Sequence, residues 1–248
     1  MIKRITKKIV LEYEDRMINL PDELRQAIDT FWQKAVQENP ALYNGDDYAV
    51  ESVEETENEI IMYVVKSNYA HYLYNERVGI SELKYRCIAP WSGLLLLTND
   101  GYWVVGQMAK TTSFADGFQI PGGGVDKKDI KDNRIDMYEN LKREVKEEVN
   151  LDLDKINFEF EFLECPMGKR NVYGFLAIGK LDMSKEEMQK HFDEYQKYLI
   201  ENGLEIEFEK LIFFTKGNSI QEYDTYDNPK RPYMRELLEE AEDILKEV

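Results

Sequence analysis

The chain predicts an α/β (α+β) fold: an α/β/α sandwich around a mixed sheet, preceded by an N-terminal α/β extension. Three observations lead there. Strand-like apolar runs occur before, between and after helical stretches, the pattern of a sheet covered by helices. Two of those runs, within 86–109, are separated by Thr98-Asn99-Asp100-Gly101, and Asp-Gly is a strong hairpin signal. A helical stretch over 137–151 carries Leu141, Val145 and Val149 every four residues, the stripe of a helix lying on a core.

The elements follow in order. Residues 1–14 alternate enough for an early strand. A helix over 21–40 has Pro21 at its first position, Asp22 and Glu23 at the positive end of its dipole, and a stop at Asn39-Pro40. Its Leu24, Ile28, Phe31 and Ala35 fall near helical spacing. Residues 47–75 read as strands around an acidic turn (Glu54, Glu55, Glu57, Glu59), followed by a Tyr-rich stretch. Residues 1–85 are taken as the extension and 86–248 as the main domain. Within the latter, 117–126 is a short strand breaking into a Gly-rich turn, and 158–166 and 171–182 are strands. A helix over 184–203 has Ser184 as N-cap, Glu187 completing a capping box, and Gly203 at its end. A strand over 205–215 and an amphipathic helix over 233–248 close the chain.

Composition narrows the function. With 248 residues and 43% hydrophobic content the chain can bury a real core, while a formal net charge of −17 argues against general nucleic-acid binding. A small phosphorylated ligand stays open, because a divalent cation inverts the local field. Two cysteines, Cys87 and Cys165, are too few for a disulfide framework. No signal-peptide pattern and no apolar run of about 18 residues is present, so a cytoplasmic location away from membranes is expected.

The chemistry concentrates in PGGGVDKKDIKDNRIDMYENLKREVKEEVNL, residues 121–151. Gly122, Gly123 and Gly124 let the backbone approach a ligand closely. The helix that follows bears Arg143, Glu144, Glu147 and Glu148. The three glutamates, related by i, i+3 and i+4, crowd one edge and repel unless neutralised. A hard divalent cation with oxygen ligands does this, and Arg143 can hold Glu147 one turn on.

This stretch resembles the Nudix box, G-x₅-E-x₇-R-E-U-x-E-E-x-G-U with U aliphatic. REVKEEVNL (143–151) matches its second half, with Asn150 where glycine is usual; asparagine tolerates left-handed geometry best among the other residues. Between Gly123 and Arg143 six extra residues stand, removing a clear counterpart of the upstream glutamate; Asp136 or Glu139 are the substitutes considered. The flanking LLLLTNDGYWVVGQ and GFQIPGGGVD also resemble the family. The long extension, the Ala89-Pro90-Trp91 segment, the enlarged loop and the EEVNL ending look similar to its UDP-sugar-hydrolysing branch.

The resemblance implies a Nudix-type sandwich that hydrolyses the pyrophosphate of a nucleoside diphosphate linked to another moiety, a nucleotide sugar such as UDP-glucose or ADP-ribose being favoured. It implies Mg²⁺, with Mn²⁺ as a substitute, held by Glu144 and Glu148, with Glu147 a further ligand or supporting partner and a backbone carbonyl at Gly122 or Gly123 completing the set. Glu144, Glu147 and Arg143 are the implied catalytic residues, and Glu164, Glu205 and Glu207 the candidates for general base. Lys110, Arg170 and Gly124 are expected at the substrate, Arg170 first among the cations, although ordinary surface lysines and arginines look the same in sequence. Tyr69, Tyr72 and Tyr74 could stack a nucleobase or simply pack on the core. His71 and His191 lack metal-ligand spacing, and no histidine partners either thiol. Competing functions are a catalytically silent nucleotide sensor, disfavoured by the intact glutamates, and an RNA-end (cap) hydrolase, disfavoured by the acidic balance. The extension reads as a lid or a dimerisation element, a homodimer being the partner the second would admit.

Overall fold

The computed structural model describes residues 1–40, 42–112, 114–166 and 171–244. Its strands begin with β1 (Ile2–Arg4), β2 (Lys8–Met17), β3 (Asp46–Glu55), β4 (Glu59–Asn68), β5 (Ala89–Leu97) and β6 (Tyr102–Met108). They continue with β7 (Phe118–Gln119), β8 (Ile130–Lys131), β9 (Arg134–Ile135), β10 (Phe158–Glu164), β11 (Val172–Lys180) and β12 (Phe208–Thr215). The helices are α1 (Asp22–Glu38), α2 (Tyr69–Arg77), α3 (Met137–Val149), α4 (Lys185–Glu201), α5 (Ser219–Asp224) and α6 (Pro232–Ile244). None of the described helices is long and apolar enough to cross a membrane.

The main sheet runs β1-β10-β11-β5-β6-β12, with β7 beside β6. Its β11–β5 pair is parallel and its other pairs are antiparallel, so it is mixed as expected. Strand side chains alternate between faces, and both faces of β5 are covered. Leu94 and Leu96 pack with Leu141, Val145 and Val149 of α3 and with Met188 and Phe192 of α4. Leu95 and Leu97 pack with Met234, Leu237, Leu238 and Ala241 of α6 on the other side. That two-sided burial is the sandwich, and it explains the unbroken run of four leucines.

A second mixed sheet runs β3-β4-β2-β9-β8. Here the six extra residues of the enlarged loop find their place. β8 and β9 form a hairpin whose two turn residues, Asp132 (φ 50°) and Asn133 (φ 59°), are both left-handed, the conformation that matches strand twist. β9 then pairs with β2, Leu11 opposite Ile135. The N-terminal segment, expected as one strand, is two: β1 extends the main sheet beside β10, while β2 lies in the second. The Tyr-rich stretch forms α2, capped by the Asn68 side chain, which accepts from His71 N–H. β12 starts at Phe208, later than the predicted 205, and α5 was not foreseen. Residues 245–248 of the predicted final helix lie outside the described residues.

Candidate active site

The glycine turn is fastened to β5. Ser92 N–H donates to the Gly123 carbonyl at 3.0 Å and Leu94 N–H to the Pro121 carbonyl at 2.8 Å. Gly122 has φ 145°, and a Cβ there would sit 2.0 Å from the Ser92 carbonyl oxygen, so only glycine fits. Its N–H donates to Glu148 Oε2 at 2.7 Å. A Cβ on Gly123 would lie 2.7 Å from both carboxylate oxygens of Glu144. Two successive glycines therefore each meet one of the two helix carboxylates.

α3 brings those carboxylates in. Asp136 caps its start, accepting from the N–H groups of Tyr138 and Glu139, and Asn150 ends it in the left-handed conformation at φ 54°, ψ 31°. With Leu141, Val145 and Val149 facing the sheet, Glu144 and Glu148 are only 8% and 3% exposed. Burial pushes Glu144 up to about 7 against the pull of Arg143, with the Glu207 charge adding to the rise. Burial, then the charges of Glu207 and Glu144, hold Glu148 well above the carboxylate range. Burial also raises the half-buried Glu207, although its hydrogen bond with Glu148 works the other way.

Arg143 is the hub. Its guanidinium reaches Asp129 (2.9 and 3.3 Å), Glu144 (2.8 Å), Glu147 (3.1 Å) and the Gly124 carbonyl (3.2 Å). Asp129, 2% exposed, takes two of these bonds and is also bonded by Asn140. Asn140, fully buried, donates as well to the Gly124 carbonyl at 2.8 Å and accepts from the Ser92 hydroxyl. Asp129, Asn140 and Ser92 were missed from sequence. For Asp129 a signal existed: five residues separate it from Gly123, the family's glycine-to-glutamate spacing, so the six extra residues follow it. Asp136 is instead spent on capping α3, and Glu139 pairs on the surface with Lys131 and Lys142.

The residues fit a divalent cation. Among the described residues no three acidic or imidazole side chains converge tightly enough to enclose one as placed. Yet Glu144 and Glu148 are buried one turn apart with Glu207 against them, and Arg143 is shared among three carboxylates. Carboxylates buried this close together are a donor set that a hard cation with oxygen ligands would suit.

The remaining candidates scatter. Glu147 is exposed and held by Arg143. Glu164 is buried and accepts from the Trp91 indole N–H at 3.2 Å. Glu205 and Lys110 are exposed. Arg170 lies outside the described residues. Cys87 is buried, its thiol pushed up by burial; His71 is buried against Ser67 and the Tyr85 carbonyl, and His191 reaches the Val149 carbonyl. A cavity of about 240 Å³ adjoins Gly123 and Gly124, with Asp47, Tyr69, Tyr72 and Trp91 among its walls. A larger one of about 460 Å³ lies against β2 and the start of α3 and includes none of the cluster's carboxylates.

No family model and no curated protein matches the chain. Solved structures do. The MutT protein from Methanosarcina mazei is 14% identical, with 64% of this chain and 96% of that one covered, at a TM-score of 0.42. A C. elegans Ap4A hydrolase binary complex is 16% identical, covering 65% and 100%, at 0.41. The NUDIX domain of Shewanella oneidensis NrtR complexed with ADP ribose is 12% identical, covering 72% and 99%, at 0.42. The solved structures that this chain is similar to are thus Nudix hydrolases and a Nudix domain.

Proposed function

We propose that the chain is a Nudix-type pyrophosphohydrolase that cleaves a nucleoside diphosphate linked to a second moiety, a nucleotide sugar above others. One observation carries this: Glu144 and Glu148 are buried against successive glycines while an Arg143–Asp129 pair holds the same helix and turn together. The REVKEEVNL match supports it independently. Residues 86–248 form the hydrolase domain in this reading, with 1–85 its extension.

Glu144 and Glu148 would hold Mg²⁺ or Mn²⁺, with the carbonyl at Gly123 beside them. Bound there, the cation supplies charge neutralisation for the diphosphate and a lowered pKa for a water. The Gly123–Gly124 backbone leaves room for phosphate oxygens, because no side chain stands over it. Arg143 keeps Glu144 oriented and Glu147 in reserve at the rim. Among the candidates for general base Glu207 is preferred, since it abuts Glu148 and burial raises its proton affinity. The net charge of −17 favours a small nucleotide over an RNA end.

The test is the phosphate that a coupling phosphatase frees from the monophosphate products of a panel of UDP-, ADP- and GDP-sugars, dinucleoside polyphosphates and triphosphates, with and without Mg²⁺. Metal-dependent turnover of one class is expected, abolished by EDTA and lowered by orders of magnitude in Glu148→Gln. Turnover that survives both chelator and that substitution would sink the proposal.

A further inference from the structure

We propose that the cavity beside the glycine turn, walled by Asp47, Tyr69 and Tyr72 of the N-terminal extension and by Trp91 of the main domain, is a base pocket, and that the base it reads is guanine. The inference rests on the pyrophosphohydrolase reading in one respect: the turn at Gly123–Gly124 is where the diphosphate would lie, so the moiety in this cavity belongs to the same substrate.

Size selects a single ring system. At about 240 Å³ the cavity falls below the ~300 Å³ at which whole-ligand pockets begin. The walls select a flat one. Tyr69 and Tyr72 stand nearly parallel, with centroids 6.1 Å apart and planes at 27°, and Trp91 adds an indole. Aromatic walls hold bases by stacking, whatever the base.

The discrimination comes from Asp47. It is half-buried, and its Oδ1 accepts the Tyr48 N–H at 2.8 Å; no lysine or arginine pairs with it among the described residues. Burial pushes it up to about 6, so it is ionised at neutral pH and can only accept hydrogen bonds. Guanine offers a carboxylate two adjacent donors, N1–H and the 2-amino group, with no acceptor between them. Adenine and cytosine set an acceptor beside their amino group, and uracil flanks its one N–H with two carbonyls, so each faces the carboxylate with a repelled lone pair. Arg231 also lines the cavity, and guanidinium groups suit the O6 and N7 acceptors on guanine's other edge. The base favoured here is thus guanine, where the sequence resemblance favoured uridine or adenosine.

The experiment is calorimetric binding of GMP, IMP, AMP and UMP to the full chain without metal. GMP is expected to bind most tightly and AMP and UMP at least about tenfold more weakly. IMP, which keeps N1–H and lacks the 2-amino group, should fall between. Asp47→Asn, which reverses the polarity of one contact, is expected to weaken GMP at least about tenfold and erase the order. Equal affinities, no measurable binding of GMP, or an unchanged order in Asp47→Asn overturns the assignment. Because no turnover is read, a flat ladder with metal-dependent hydrolysis intact refutes the pocket alone. A steep ladder in a protein whose hydrolysis ignores Glu148 refutes the catalytic reading alone.

Discussion

Removing Asp129 tests the scaffold beneath the site. In Asp129→Ala, Arg143 loses two hydrogen bonds and the Asp126 N–H and Asn140 amide lose an acceptor. Breaking a buried ion pair costs about 3–5 kcal/mol. Arg143 keeps Glu144, Glu147 and the Gly124 carbonyl, and its side chain is 17% exposed, so the loss falls at or just below the bottom of that range, about 2–3 kcal/mol. At about 2–4 °C per kcal/mol for a chain of this size, the melting temperature should fall by roughly 4–12 °C. With its orienting partner gone, Arg143 no longer sets Glu144, and kcat/KM should fall roughly 10–100-fold. The comparison variants are Asp136→Ala, which removes a helix cap worth about 1 kcal/mol, and Glu139→Ala, which removes surface pairs and should change little. Thermal unfolding by circular dichroism and the phosphate-release assay read both effects. Asp129→Ala melting within about 1 °C of the parent with turnover unchanged, or Glu139→Ala causing the larger loss, would refute the reasoning.

The same aspartate has a pH signature. Burial alone would raise it, but the Arg143, Asp126 and Asn140 hydrogen bonds more than offset burial and hold it below its ordinary value. A depressed folded-state pKa stabilises above the unfolded value of about 3.9 and loses that effect as pH falls through the folded one, so the melting difference between parent and Asp129→Ala should shrink in acid. Glu144 behaves oppositely. Raised to about 7, it penalises the fold as pH climbs from the ordinary glutamate range through 7, and Mg²⁺ should therefore raise the melting temperature more at pH 8 than at pH 5.5; an equal rise at both would count against Glu144 as a ligand. Neighbouring glycines should separate fold from function. Gly122→Ala drives a methyl into the Ser92 backbone at a strained φ and is expected to cost more than about 3 kcal/mol, read as poor folding or a large melting shift. In Gly123→Ala the atoms nearest the new methyl are the end of the Glu144 side chain, so the protein should fold while Mg²⁺ dependence shifts to higher concentration; similar melting losses in both variants would contradict the contrast.

Local signals were legible where local physics decides the conformation. The Ser184 capping box, the stop before Pro40, the Asp-Gly hairpin and the Leu141–Val145–Val149 stripe appear as expected, because caps, turns and periodic burial depend on residues a few positions apart. Asn150 takes the left-handed conformation that its position in the motif called for. The second sheet was not legible. Its β2–β9 pair joins residues more than 100 positions apart through a hairpin of two-residue strands, too short for any alternation to show.

The site divides along the same line. Sequence by itself determined the mixed α/β layering, the glycine turn and the helix edge bearing Glu144 and Glu148, since spacing along a helix fixes which side chains share a face. Only the tertiary structure decided which acid holds Arg143, that Glu207 lies against Glu148, and that Asp47, Tyr69 and Tyr72 border the glycine turn. The Glu207 and Asp47 contacts are made between segments far apart in the chain, and the Asp129–Arg143 pair spans the β8–β9 hairpin. Whether a carboxylate there is a solvated surface charge or a buried one with a raised pKa is set by burial, which no residue carries in its own identity.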